Sequence, residues 1–244
     1  MYELNYLIFL LFICLSIFQT ISGVGILVLG TPMLIFYGLN IIDVMALLLP
    51  LSIFNSFINL LYFFKFKKGV KIDINLSKYF FFICLPAMFV GLIFLKKFNN
   101  YINFNLLIGL VILFVLILSQ INKKNFSESI KKIIIFVTGV LHGVTNSGGS
   151  LLSLIIVNSN DKNVNLKRIN IIFFYFFLAT FQFLSLGIIF KIDYFESFSF
   201  YSIFPIGVGI IIGNYLALWI NIYQLNKMVK LLAFISSIIL ISNS

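Results

Sequence analysis

The chain has 244 residues, 61% of them hydrophobic and only 10% charged, with a mean hydropathy of +1.14. No soluble domain of this length has interior enough to hide so much apolar surface, so lipid must be the solvent. The net charge of +10 is spread over short basic flanks without interleaved aromatics, which excludes a nucleic-acid partner.

Ten apolar segments follow one another: 4–21, 24–38, 41–64, 79–95 and 101–121, then 133–144, 149–157, 168–190, 198–219 and 228–241. The first is preceded by Glu3 with no Lys or Arg, and no small-residue cleavage site follows it. It reads as a retained spanning or re-entrant helix, not a signal peptide. A bilayer crossing needs about 20 apolar residues, so 24–38 is marginal and 149–157 too short. Each of these short pieces follows a Gly-rich break, "SGVGILVLGTP" at 22–32 and "TNSGGS" at 145–150. Irregular backbone survives at membrane depth only where protein or a water-filled cavity satisfies its N–H and C=O groups. Two such breaks at matching places point to a cavity.

The helix after each break carries a polar stripe. In 41–64 it is Ser52, Asn55, Ser56 and Asn59, at i, i+3, i+4 and i+7; in 168–190 it is Tyr175, Gln182 and Ser185. Interhelical hydrogen bonding accounts for Asn55 as well as substrate contact does; Asn59 and Gln182 lean toward the site because the two halves superpose them. His142, the only histidine, lies three residues before the second break. It reads as a packing or hydrogen-bonding group first, and as a proton carrier or anion donor second. Cys14 and Cys84 lie inside apolar runs and read as small hydrophobes.

The halves repeat. A shift of 123 puts Ser22 on Thr145, Gly23 on Asn146, Gly25 on Gly148 and Asn59 on Gln182, and a Pro-then-Gly helix comes late in each half, "LPAMFVGLIF" from Leu85 and "FPIGVGIIIG" from Phe204. Five pieces per half is an odd number, so the halves must be inverted. With the N-terminus outside, 14 basic residues fall in cytoplasmic loops and only Lys96, Lys97 and Lys191 outside; eight simple spans give a split of 10 to 7 at best. The positive-inside rule favours the inverted repeat. The expected fold is an all-α polytopic membrane protein of two inverted repeats, 1–121 and 122–244, forming a single membrane domain. Each repeat has a broken or re-entrant helix pair plus three long transmembrane helices, about 8 membrane helices in total.

A helix restarted inside the membrane offers unpaired N–H groups with a partial positive charge, an anion site built without a fixed cation. "TNSGG" adds Thr145, Asn146 and Ser147 before Gly148 and Gly149; "TISGVG" adds Thr20 and Ser22 with Gly23 and Gly25. Close helix packing by small residues is the competing account. No Asp, Glu, Lys or Arg sits deep in an apolar run, which disfavours cation substrates. No metal cluster, Ser–His–Asp set or carboxylate pair is present to support an enzyme, and no cofactor is implied.

"FQTISGVGILVLGTPMLIFYGLN" resembles the first-half signature of the TauE/SafE sulfite-exporter family, and "GVLHGVTNSGGSLLSLII" followed by "NDKNVNLKRIN" resembles its second. Gln19, Ser22, Gly23, Gly25 and Pro32 fall on the first; Gly143, Asn146, Gly148 and Gly149 fall on the second. The chain lacks the third glycine of the richer first signature and has Ser150 where many relatives have proline. The resemblance implies an exporter of small anions such as sulfite or organosulfonates in the bacterial inner membrane. A secondary transporter working by alternating access is the leading reading; a passive channel and a membrane scaffold are the alternatives. The expected substrate site comprises Gln19, Ser22, Gly23, Gly25, Asn55, Asn59, His142, Thr145, Asn146, Ser147, Gly148, Gly149 and Gln182. Expected partners are a small anion and membrane lipid; a coupling proton or ion and a homo-oligomer stay open.

Overall fold

A computed structural model describes residues 6–67, 71–98, 128–159, 163–192 and 200–242, together with part of 106–117. Most of the 101–121 segment, with Lys68, Lys123, Lys124, Lys162, Asp193 and Glu196, lies outside the described residues. All regular structure described is helical: α1 (Tyr6–Ser22), α2 (Ile26–Phe36), α3 (Ile41–Phe66), α4 (Ile74–Phe98), α5 (Glu128–Thr145), α6 (Gly149–Val157), α7 (Val164–Phe190), α8 (Ile203–Leu216) and α9 (Ile222–Ser242). Four of these, α3, α4, α7 and α9, are long and apolar enough to cross a membrane, and α1, α2 and α8 are shorter apolar helices.

Several helices outrun their apolar segments because caps, not hydropathy, fix their ends. Asp73 accepts from the Leu76 amide at 3.0 Å and starts α4 five residues ahead of the apolar run. Asn163 accepts from the amides of Asn165 and Leu166 and starts α7 four residues early. Conversely, α8 covers only 203–216 of the apolar stretch 198–219. Within α4, residues Phe80–Cys84 widen into a π-turn just before Pro86. A proline has no N–H to donate and crowds the preceding turn, and a wider turn relieves both.

Packing crosses between the halves. The first helix of each half lies on the Pro–Gly helix of the other, α1 on α8 and α5 on α4, while α3 lies on α7. Glycines set how close these pairs come. A Cβ at Gly139 or Gly143 of α5 would sit 2.3 or 2.1 Å from the carbonyls of Cys84 and Met88 on α4. On the other pair, a Cβ at Gly209 or Gly213 of α8 would meet the Cβ atoms of Ser16 and Thr20 at 2.5 and 2.7 Å. Ser16 and Thr20 are 123 residues from Gly139 and Gly143, so the same two levels make the contact in both pairs. Outside this core, large apolar side chains such as Phe64, Phe82 and Ile188 stand exposed on the long helices, the surface that lipid covers.

Candidate functional site

The two breaks share a left-handed residue and a crowded glycine two residues on, although Gly25 (φ 169°, ψ −66°) and Gly148 (φ −60°, ψ −18°) differ in conformation. Gly23 (φ 86°) and Asn146 (φ 66°) take the left-handed conformation, and they are 123 residues apart. Glycine does this freely and asparagine is the side chain that tolerates it best. Two residues on, Gly25 and Gly148 press against the helix they have just left. A Cβ on Gly25 would meet the Gln19 nitrogen at 2.7 Å and the Leu15 carbonyl at 2.8 Å; on Gly148, the His142 nitrogen at 2.7 Å and the Thr138 carbonyl at 2.4 Å. Those contacts are again pairwise 123 apart. Only hydrogen fits there.

The first break satisfies most of its own polar groups. Gln19 Oε1 accepts from the Ile26 amide at 3.1 Å, and Gln19 Nε2 donates to Ser52 and to Ser56 Oγ at 2.9 Å. Ser22 Oγ lies within hydrogen-bond distance of the Phe18 and Val24 carbonyls and gives its one proton to either. Asn55 Nδ2 donates to Ser16 Oγ at 2.7 Å, and Asn59 Nδ2 donates to Thr20 Oγ1 at 3.2 Å and to Asn55 Oδ1 at 3.0 Å. Gln19, Ser22, Asn55 and Asn59 are fully buried.

The second break is left with open valences. Gln182 Nε2 donates to the His142 carbonyl at 3.0 Å, and Thr145 and Ser147 bond locally to the carbonyls of Leu141 and Thr145. Asn146 Nδ2 reaches across to Thr31 Oγ1 on α2 at 3.1 Å. Both ring nitrogens of His142, Asn146 Oδ1, Gln182 Oε1, Thr138 Oγ1 and the Tyr175 hydroxyl have no partner, and all lie in side chains with no exposed surface. A buried polar group without a partner costs about 1–3 kcal/mol. The Thr31 hydroxyl can donate as well as accept, so the Asn146 amide can turn over and present Nδ2 to the free side. A Cβ on Gly149 would sit 2.1 Å from the Tyr175 ring, whose centroid is 6.4 Å from that of His142.

The structure thus gathers His142, Asn146, Gly148, Gly149 and Gln182 at one break and Gln19, Ser22, Gly23, Gly25, Asn55 and Asn59 at the other. Asn59 and Gln182 each serve their own break, Asn59 through Thr20 and Gln182 through His142. The breaks are closed to solvent. A cleft of about 430 Å³ lies elsewhere, at the helix ends around Lys71, Asp73, Glu128, Lys131, Asn158 and Lys167. In it, Lys131 holds the exposed Glu128 carboxyl below its usual range through a 3.1 Å ion pair. Among the described residues no group of three or more His, Cys, Asp or Glu could hold a metal ion.

Arg168 is the residue that sequence reasoning missed. Counted there with the basic flanks, it is 4% exposed in the structure. Its Nε donates to the Thr20 carbonyl at 2.9 Å and Nη2 donates to the same oxygen and to Asn214 Oδ1, with the guanidinium 4.9 Å from the centre of the Phe63 ring. Thr20 lies in the last turn of α1, where backbone carbonyls lose their helical donors. A cation there also complements the negative end of the helix. The signal was available: Arg168, Tyr175 and Gln182 are seven apart in sequence, one helical face.

A chain whose described regular structure is all helical, with several membrane-length helices and two helices interrupted inside the packed core, is an integral membrane protein. The family model described as sulfite exporter TauE/SafE matches residues 8–243. The chain belongs to that family, a family of membrane exporters. No curated protein and no solved structure matches it.

Proposed function

We propose that the protein is a secondary transporter that exports a small anion, sulfite, an organosulfonate or a related oxyanion, across the bacterial inner membrane by alternating access. Its frame is read as two inverted repeats, 1–121 and 122–244, with about eight membrane helices. The crossed packing of α1 on α8 and α5 on α4 supports that reading, because it is what a twofold relation between halves produces.

One observation carries the proposal: the two breaks place a left-handed residue and a crowded glycine at positions 123 apart, and buried polar atoms without partners surround the second. Packing alone accounts for the glycines. It does not account for leaving two ring nitrogens, two amide oxygens and a phenol unpaired in a dry interior. An anion held between restarted helices takes up the backbone N–H groups, while Asn146 and His142 supply side-chain donors. Closure of both breaks to solvent supports a carrier over an open channel.

A thermal-shift screen of purified protein against sulfite, sulfate, thiosulfate, sulfonates and carboxylates tests the reading. A ligand at a hundred times its dissociation constant stabilises by about 2.7 kcal/mol. Saturable, competed uptake of the same anion into proteoliposomes is the expected companion result. No shift with any anion would leave a scaffold.

A further inference from the structure

Tyr175 joins the two breaks. From α7, its ring covers Gly149 at the start of α6 and lies beside the His142 ring. Its hydroxyl faces the backbone amides of Gly25, Leu27 and Val28 at the start of α2, without closing a well-formed hydrogen bond to any of them. The residue has no exposed surface. The amides are the orphan donors of an 11-residue helix. Their neighbour Ile26 is already engaged by Gln19 Oε1. A neutral phenol oxygen therefore stands where three N–H groups and the positive end of a helix converge, and it is poorly bonded there.

We infer that the Tyr175 hydroxyl is a placeholder in an oxyanion subsite formed by the amides of Gly25, Leu27 and Val28, and that substrate binds by displacing it. The inference rests on the proposed anion-transport function and adds to it both a residue and a location. A charged oxygen forms hydrogen bonds roughly twice as strong as a neutral one does, so one oxygen of a sulfite or sulfonate head outcompetes the phenol for these donors. In the empty protein the phenol keeps the amides from standing bare in a dry core. Its weak geometry leaves it displaceable. Any ligand lacking a charged terminal oxygen lacks the means to evict it, which makes Tyr175 a determinant of specificity for oxyanion heads.

Tyr175→Phe removes the competing oxygen and keeps the ring that packs on Gly149. Sulfite and thiosulfate binding to purified wild type and variant is measured by titration, with hydrogen–deuterium exchange read over residues 25–29. The variant is expected to bind sulfite about twofold to threefold more tightly, the low end of what one hydrogen bond is worth, because the phenol's own bonds are poorly formed. Without anion, its Leu27 and Val28 amides should exchange faster than in wild type, and sulfite should restore their protection. Wild type that binds sulfite while the variant binds equally or more weakly overturns the placeholder and leaves the transport reading intact. Wild type that binds neither of these, nor any other anion of the thermal-shift screen, overturns both. Exchange at Leu27 and Val28 that ignores the substitution overturns the placeholder on its own.

Discussion

Asn146 has two roles that mutation can separate. Its backbone is left-handed at φ 66°, and its amide bridges to Thr31 while keeping one atom free. Alanine at such a φ carries a strain of about 1–2 kcal/mol, so a loss in Asn146→Ala would mix folding with binding. Asn146→Gly keeps the backbone and removes only the amide. We expect Asn146→Gly to keep near-wild-type thermal stability and to weaken apparent anion affinity by about 1.5–3 kcal/mol, the worth of a hydrogen bond to a charged group. Transport measured at limiting substrate checks it; undiminished affinity would reduce Asn146 to a backbone device. Arg168 invites the same dissection. Its fork grips the Thr20 carbonyl through two nitrogens and stacks on Phe63, a geometry that an ammonium cannot copy. Arg168→Ala should lower stability by about 1.5–3 kcal/mol, with Arg168→Lys recovering only part of it in thermal denaturation. Full recovery by lysine would show that charge alone matters there.

Between helices, the glycines divide by what stands opposite. Gly209 and Gly213 of α8 meet Ser16 and Thr20 of α1, whereas a Cβ at Gly207 would meet nothing within 4 Å. Gly213→Leu should therefore destabilise the protein by about 1–3 kcal/mol through overpacking, and Gly207→Ala should be neutral or slightly stabilising. Fluorescence-detected size exclusion of both variants after a heat step checks the contrast; a stable Gly213→Leu with altered substrate selectivity would move that glycine from packing to binding. The Pro-then-Gly run from Phe204 made this helix legible in the sequence, and hydropathy with the two Gly-rich breaks made the other helices legible too. Other features were not. Helix starts at Asp73 and Asn163 depend on single capping side chains that hydropathy ignores. Arg168 reads as a flank because its charge ends an apolar run, and only the fold brings Thr20 and Phe63 to it. Tyr175 stood in the polar stripe, but nothing local says that its hydroxyl reaches a helix from the other half of the chain.

At the scale of the whole molecule, sidedness follows from which helix ends meet. Lys71, Lys131 and Lys167, from three stretches far apart in sequence, line one cleft. At other ends, Lys96 Nζ donates to the Ile189 carbonyl at 2.6 Å and lies over the Phe190 ring, beside Lys191. The two groups correspond to the two sides of the charge split, 14 basic residues against Lys96, Lys97 and Lys191. The contacts place like with like, and the charge excess says which group faces the cytoplasm. We expect the 65–78 stretch inside and the 96–97 end outside. In a background with Cys14 and Cys84 replaced, Lys71→Cys and Lys97→Cys both put a thiol on an exposed position. A membrane-impermeant maleimide added to intact cells should label the cysteine at 97 at once and the cysteine at 71 only after permeabilisation. The reverse pattern would invert the protein and turn the cleft at Lys71, Lys131 and Lys167 toward the outside. Equal labelling of both in intact cells would place the two groups on one side, which an odd number of crossings between residues 71 and 97 forbids; the single helix α4 that joins them would then have to be re-entrant.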